Sequence, residues 1–83
     1  MDHLEFDPHV LLQMGRRELP TDAVYHVIGD YDDRIDRRDG VSEYFGTWEG
    51  RDLLVVVRWY DEDAGDGLVI TAIDTNTRKR KRR

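Results

Sequence analysis

The residue of this chain best suited to proton transfer is His9. Imidazole changes charge near neutral pH, so His9 can serve as a general acid or a general base. A surface histidine in the first turn of a helix is the commoner explanation for the same pattern. His3 lies close to a fraying terminus and His26 on a helix needed for packing, so neither is a candidate.

Three groups of cations in the sequence could contact phosphate. Arg16 shares a predicted helix face with His9, and Arg17 lies beside it. Segment 30–40 carries three arginines interleaved with five aspartates, so mutual neutralisation is the simpler explanation there. The C-terminal tail attracts any polyanion without sequence preference, although a solubilising or partner-binding terminus has the same composition. Its six contiguous cations are Arg78, Lys79, Arg80, Lys81, Arg82 and Arg83.

Metal sites, phosphate loops and serine-based catalysis have no matching pattern in the sequence. The chain has no cysteine, and the carboxylates of segment 30–36 lack the glycine turn and terminal glutamate of an EF-hand loop. The glycine-containing segment 65–67 leads into a predicted strand rather than a helix, and Ser42 is the only serine. We therefore expect no metal and no cofactor.

Charge is distributed unevenly along the chain. Residues 78–83 hold 6 of the 13 lysines and arginines, whereas residues 1–77 combine 7 arginines with 18 acidic residues, a net charge of −11. The N-terminus is acidic and does not resemble a signal peptide, and the longest apolar run, Leu53 to Val57, is far shorter than the roughly 20 residues that span a bilayer. We expect a cytoplasmic protein without membrane contact.

Two helices followed by a sheet are the elements that would position these side chains. Asp7-Pro8 predicts a helix start, and apolar spacing predicts helices near 8–17 and 20–29. From Val41 the apolar period becomes two, which predicts strands near 41–49, 52–60 and 68–74 and at most a short edge strand before them. The predicted fold is α+β, with two N-terminal helices packed on a three- to four-stranded antiparallel sheet. Residues 1–77 form one domain, and residues 78–83 form a disordered basic tail.

The predicted hairpin over residues 41–60 sorts its side chains into two faces. The more apolar face should pack on the helices and carries Tyr44, Gly46, Trp48, Leu53, Val55, Val57 and Trp59. The helix residues expected to face it are Val10, Leu11, Met14, Ala23, Val24, Val27 and Ile28. The opposite face is mixed, and there Arg58 should lie near Glu43.

The segment from His9 to Leu19 resembles the opening motif of a widespread prokaryotic family of small domains of unknown function. His9, Met14 and Arg17 match that motif by spacing, and the strand Val69-Ile70-Thr71-Ala72 looks like the family's closing strand. Two positions depart from the family pattern, since Gln13 replaces an arginine and Glu18 replaces the glycine of a turn. The BrnT-type toxins have a similar layout.

This resemblance implies the RelE- and barnase-like ribonuclease fold and metal-free cleavage of RNA. A base would deprotonate the ribose 2′-hydroxyl, which attacks the adjacent phosphate while cations stabilise the developing charge. Carried over by position, His9 would be the acid or base, Arg17 would hold the phosphate, and Thr71 would donate a hydrogen bond. Arg58 is added as a second phosphate ligand because it lies on the exposed face. The four side chains should then converge on one concave surface between the first helix and the sheet.

A second hypothesis uses the same fold without catalysis. A body with a net charge of −11 repels RNA, whereas it attracts a basic protein. The chain would then be a protein-binding module that docks a basic partner on its acidic surface. The expected partners are therefore RNA, an antitoxin or another protein, and a second copy of the chain, since so small a core gains stability from association.

Deleting residues 78–83 should leave the melting temperature nearly unchanged, because a segment without apolar side chains adds nothing to a core. The same deletion should weaken any RNA binding, and the loss should shrink as salt rises. Melting curves and RNA affinities of the full and truncated chains at two salt concentrations measure both effects. A truncated chain that fails to fold would contradict the boundary.

Overall fold

The computed structural model describes residues 3–75 of the chain. Its elements are β1 (His3–Phe6), α1 (Pro8–Arg16), α2 (Thr21–Gly29), β2 (Asp33–Asp36), β3 (Val41–Trp48), β4 (Arg51–Asp61) and β5 (Asp66–Asp74). The strands form one sheet in the order β1-β5-β4-β3-β2. β1 runs parallel to β5, and all other neighbours are antiparallel. The α+β class, both helices and the three long strands are as predicted, whereas the tail predicted over residues 78–83 lies outside the described residues.

The edges of the sheet differ from the prediction. β1 was not predicted, and β2 falls where at most a short edge strand was expected, so the sheet has five strands and is mixed. The expectation of three to four antiparallel strands is wrong in this respect. β1 has only four residues, too few for a clear period of two, and its partner lies at the far end of the described chain, with His3 opposite Asp66.

Helix α1 ends in a backbone motif that usually requires glycine. Glu18 has a φ of 57°, in the left-handed region, and its N–H donates to the Gly15 carbonyl while the N–H of Leu19 donates to the Met14 carbonyl at 2.9 Å. These two bonds form a Schellman motif, in which buried Leu19 and Met14 supply the accompanying apolar contact. Glycine adopts this conformation freely, whereas a side chain there costs roughly 1 kcal/mol.

The hairpin between β3 and β4 has a two-residue turn that fixes the register. Glu49 and Gly50 both have positive φ, 48° and 79°, as in a type I′ turn. Trp48 therefore pairs with Arg51, and Tyr44 pairs with Val55. This parity confirms the predicted division of the hairpin into two faces.

The core lies between the helices and one face of the sheet. β4 supplies Leu53, Val55 and Val57 to it, and the last two are fully buried. The remaining members are Val10, Met14, Leu19, Ala23, Val24, Val27, Tyr44, Val69 and Ala72, with Leu4, Phe6, Ile28, Trp48 and Trp59 packed around them. A Cβ added to Gly46 would lie 3.2 Å from a Val27 methyl carbon, so the absence of a side chain lets α2 approach β3 closely.

Leu11 is the one predicted core residue that the structure places outside. It is 45% exposed, and the neighbouring Leu12 is 53% exposed. Successive helical residues are rotated by about 100°, so α1 cannot turn Val10 and Leu11 equally towards the sheet. Val10 and Met14, four residues apart on one side of α1, are the pair that is buried.

Two leucines of contrasting exposure test this core. Leu53→Ala should lower the free energy of unfolding by roughly 2–5 kcal/mol, because truncating a buried leucine leaves a cavity. Leu11→Ala should change it by less than about 1 kcal/mol. Urea unfolding followed by tryptophan fluorescence measures both, and equal losses would contradict the packing.

Candidate functional site

His9 lies in the first turn of α1, with its side chain exposed. The Asp7 carboxylate caps the helix by accepting the backbone N–H of His9 at 2.8 Å. Among residues 3–75, no group holds the imidazole by a hydrogen bond. A general acid or base is usually oriented by a second group, so the surroundings of His9 are those of a surface histidine.

Arg17 caps the opposite end of α1. Its guanidinium donates to the Gln13 side-chain oxygen at 3.0 Å, and its carbonyl accepts from Arg51 at 2.9 Å. Arg17 lies eight positions after His9, which corresponds to about 12 Å along the helix axis. Arg16 is exposed in the last turn of the same helix.

Arg58 and Thr71 lie on the face of the sheet that the helices do not cover. Val57 faces the helices, so its neighbour Arg58 on β4 points to the opposite side of the sheet. Thr71 pairs with Val56, which lies on that same opposite side and is not a member of the core. The Thr71 hydroxyl donates to the Ile70 carbonyl at 2.8 Å. We call this side of the sheet the open face.

The structure therefore separates the four predicted catalytic residues into two pairs. His9 and Arg17 lie on a helix packed against one face of the sheet, whereas Arg58 and Thr71 lie on the other. The expectation that they converge on one concave surface is wrong, because strand alternation turns Arg58 away from the layer that contains α1. Their individual roles stay predictions.

The predicted neighbourhood of Arg58 and Glu43 is only partly right. Both lie on the open face, in adjacent cross-strand rows, since Arg58 pairs with Val41 and Glu43 with Val56. Glu43 forms its salt bridge with Arg37 instead, at 3.2 Å. Within the part of the chain that the structure describes, Arg58 has no carboxylate partner.

The open face consists of cross-strand rows set by the register. The first is largely apolar and contains Asp33, Phe45, Leu54 and Ile73. The second contains Ile35, Glu43, Val56 and Thr71, and the third contains Val41, Arg58, Leu68 and Glu5. Thr47 and Asp52 bound the first row on its other side. Sequence reasoning found the mixed character of β3 and β4 here but not the apolar contribution of β5.

A cluster around Arg34 covers the helix-side face beyond the end of α2. The Arg34 guanidinium forms salt bridges to Asp36 and Glu62, both at 2.7 Å, and lies 5.1 Å from the centre of the Tyr44 ring. The buried Ser42 hydroxyl donates to Asp36 at 2.8 Å. This network joins edge strand β2 to the loop between β4 and β5.

Titration within this cluster follows from its contacts. Hydrogen bonds from Arg34 hold the pKa of the Glu62 and Asp36 carboxyls below their ordinary values, with Ser42 contributing at Asp36. The same two carboxylates raise the pKa of Arg34 further, so it is always charged. Burial raises the pKa of Tyr44, although its oxygen accepts a hydrogen bond from the Trp59 indole at 3.0 Å.

Arg51 joins the helices to the sheet at the other end of the molecule. It donates to the carbonyls of Arg17 and Glu18, at 2.9 and 3.2 Å, and forms a salt bridge to Asp74 at 3.1 Å. Carbonyls at a helix C-terminus carry partial negative charge and favour such a cation. Arg51 therefore binds α1 to the start of β4 and the end of β5.

Three of the seven arginines in residues 3–75 are thus bound to carboxylates of the same chain: Arg34, Arg37 and Arg51. A fourth, Arg17, is held by a glutamine. Within residues 3–75, this leaves Arg16, Arg38 and Arg58 without a carboxylate partner. The basic tail predicted to bind nucleic acid lies outside the described residues.

Within residues 3–75, no three histidine or carboxylate side chains are arranged to hold a metal ion. Neither helix of this part of the chain has the length and the apolar composition needed to span a membrane. No family model, no curated protein and no solved structure matches this chain. The resemblance drawn from the His9 to Leu19 segment accordingly stays a hypothesis.

Acid should remove the contribution of the Arg34 cluster to stability. A carboxyl whose pKa is lowered by folding stabilises the fold above its unfolded pKa, roughly 4, and loses this contribution as the pH falls through the folded value. Glu62→Gln should therefore lower the melting temperature at pH 7, and the difference from the wild type should shrink towards pH 3. Glu5→Gln, on the exposed edge strand β1, is the matched control and should lower it much less. A difference that persists at pH 3 would contradict this assignment.

Proposed function

We propose that this chain is a non-catalytic protein-binding module that docks a basic partner. One observation carries the proposal: the body is strongly acidic, and three of the seven arginines in residues 3–75 are bound to its own carboxylates. Residues 3–75 contain 7 arginines and 17 acidic residues, a net charge of −10. Such a surface repels a polyanion and raises the rate at which a basic protein encounters it.

The separation of the predicted catalytic residues also favours binding over cleavage. Cleavage of RNA needs an acid or base and phosphate-binding cations around one phosphodiester. His9 is exposed at one end of α1, and Arg58 lies on the far side of the sheet. Neither has a partner in the described chain that would orient it.

Metal-free RNA cleavage is the rival proposal, and it rests on the family resemblance. The RelE- and BrnT-type relationship belongs to both proposals, since a toxin-like fold can be retained without its catalytic residues. After the short strand β1, the two helices and the four strands that follow them along the chain support that relationship. The tail cations would bind RNA in the rival proposal, whereas our proposal assigns them no role.

One pair of assays separates these functions. We expect the purified chain, incubated with total RNA and a chelator, to cleave no more than His9→Ala does. We also expect a lysine-rich peptide to bind it, with an affinity that falls as salt rises, and a glutamate-rich peptide of equal length not to bind. Cleavage that drops by about 10²- to 10⁴-fold in a folded His9→Ala protein would establish the ribonuclease instead.

A further inference from the structure

The open face of the sheet has no second packing layer within residues 3–75, and its apolar side chains are half-buried by their neighbours, with Val56 buried. α1 and α2 both pack on the opposite face, around Val55 and Val57. Helices and sheets each bury an apolar face against a second layer in stable domains. The apolar side chains of the open face have no such layer within residues 3–75. They are Ile35, Val41, Phe45, Leu54, Val56, Leu68 and Ile73.

The first row of this face combines apolar side chains with a border of carboxylates. Phe45, Leu54 and Ile73 lie side by side on β3, β4 and β5. Asp33 continues the row beyond Phe45, and Asp52 precedes Leu54 by two residues on the same face. The ligand that fits this row is apolar in its centre and positively charged at its sides.

Glu43 adds a third carboxylate that can change partner. It borders Phe45 on β3, and its salt bridge to Arg37 is exposed on the arginine side. Arg37 holds this carboxylate through two hydrogen bonds of 3.2 Å but is itself more than half exposed, so a cation from a ligand would compete with it for Glu43. Arg58, the cation of this face, lies two rows away from the apolar row.

We propose that the open face binds an amphipathic helix whose apolar stripe covers Phe45, Leu54 and Ile73 and whose lysines or arginines contact the bordering carboxylates. This inference rests on the proposed function and names its surface and its partner. Three adjacent strands span about 10 Å across the row, which equals the diameter of a helix with its side chains. The helix supplies the layer that residues 3–75 do not place there.

Two other occupants fit the surface less well. A second copy of the chain would bring the carboxylates of its own open face against Asp33, Glu43 and Asp52, between two bodies of net charge −10. The basic tail of this chain matches the charge, but residues 76–83 contain no apolar side chain to cover the row. Only a partner that is both apolar and basic satisfies both features.

A designed peptide of leucine and lysine tests the proposal on the full chain. Its leucines recur at i, i+3, i+4 and i+7 over about four helical turns, so that they form one stripe. One control peptide has the same composition with the leucines scattered around the helix, and a second has glutamate in place of lysine. We expect the striped peptide to bind, and the controls to bind at least about tenfold more weakly.

Matched variants locate the binding surface. Leu54→Lys, at the centre of the row, should weaken binding by about tenfold or more, whereas Leu12→Lys should leave it within about twofold. Leu12 is an exposed leucine on α1, so the second variant makes the same chemical change away from the open face. Circular dichroism and melting curves verify folding. If Leu54→Lys does not fold, Asp33→Lys on the open face and Asp63→Lys in the exposed β4–β5 loop form the second pair.

Each result supports or overturns a defined statement. Equal binding by the open-face variants and their controls would overturn the docking surface while leaving the proposed function intact. Equal binding of the scattered-leucine peptide would mean charge attraction alone, and would also overturn it. Failure of the wild type to bind any basic peptide would refute the proposed function itself. A dimer that Leu54→Lys converts to monomer would show that a second copy occupies the face.

Discussion

The structure depends on one constraint: two helices of nine residues each must cover a five-stranded sheet, and they cover only one side. Every fully buried valine of β4 faces that side, so the core is a single layer between helices and sheet. The chain has no element left for the second face within residues 3–75. The uncovered face carries both the apolar row and Arg58.

The short helices leave gaps that arginines fill. Arg51 binds the carbonyls at the end of α1 and thereby fixes that helix on the sheet, and Arg34 covers Tyr44 where α2 ends. Each planar guanidinium contacts several acceptors at once, which suits it to joining separate elements. These arginines therefore act as structural residues. Their use in this way lowers the capacity of a lysine-free, acidic body to bind phosphate.

Local patterns determined what could be predicted from the sequence. Alternation in the hairpin gave the correct face for Tyr44 and Arg58, and helix spacing gave the buried Met14 and Val24. Contacts distant in sequence were missed, such as the pairing of β1 with β5 and the salt bridge between Arg34 and Glu62. The predicted convergence of His9 with Arg58 was wrong for a reason that the sequence already contained. The alternation of side chains along the predicted strand placed Arg58 on the face opposite the one that the helices were predicted to cover.

The charge and the edge strands of this chain oppose contact between copies of its apolar open face. Both edge strands have only four residues, and charged side chains lie on them, Glu5 on β1 and Asp33 and Asp36 on β2. Short, charged edges oppose the strand-to-strand pairing that leads to aggregation, and the net charge of the body opposes contact between identical faces. Both features act against copies of the same chain and not against a basic partner. In the complex that we propose, the carboxylates would select a basic partner and the apolar row would bind its apolar stripe.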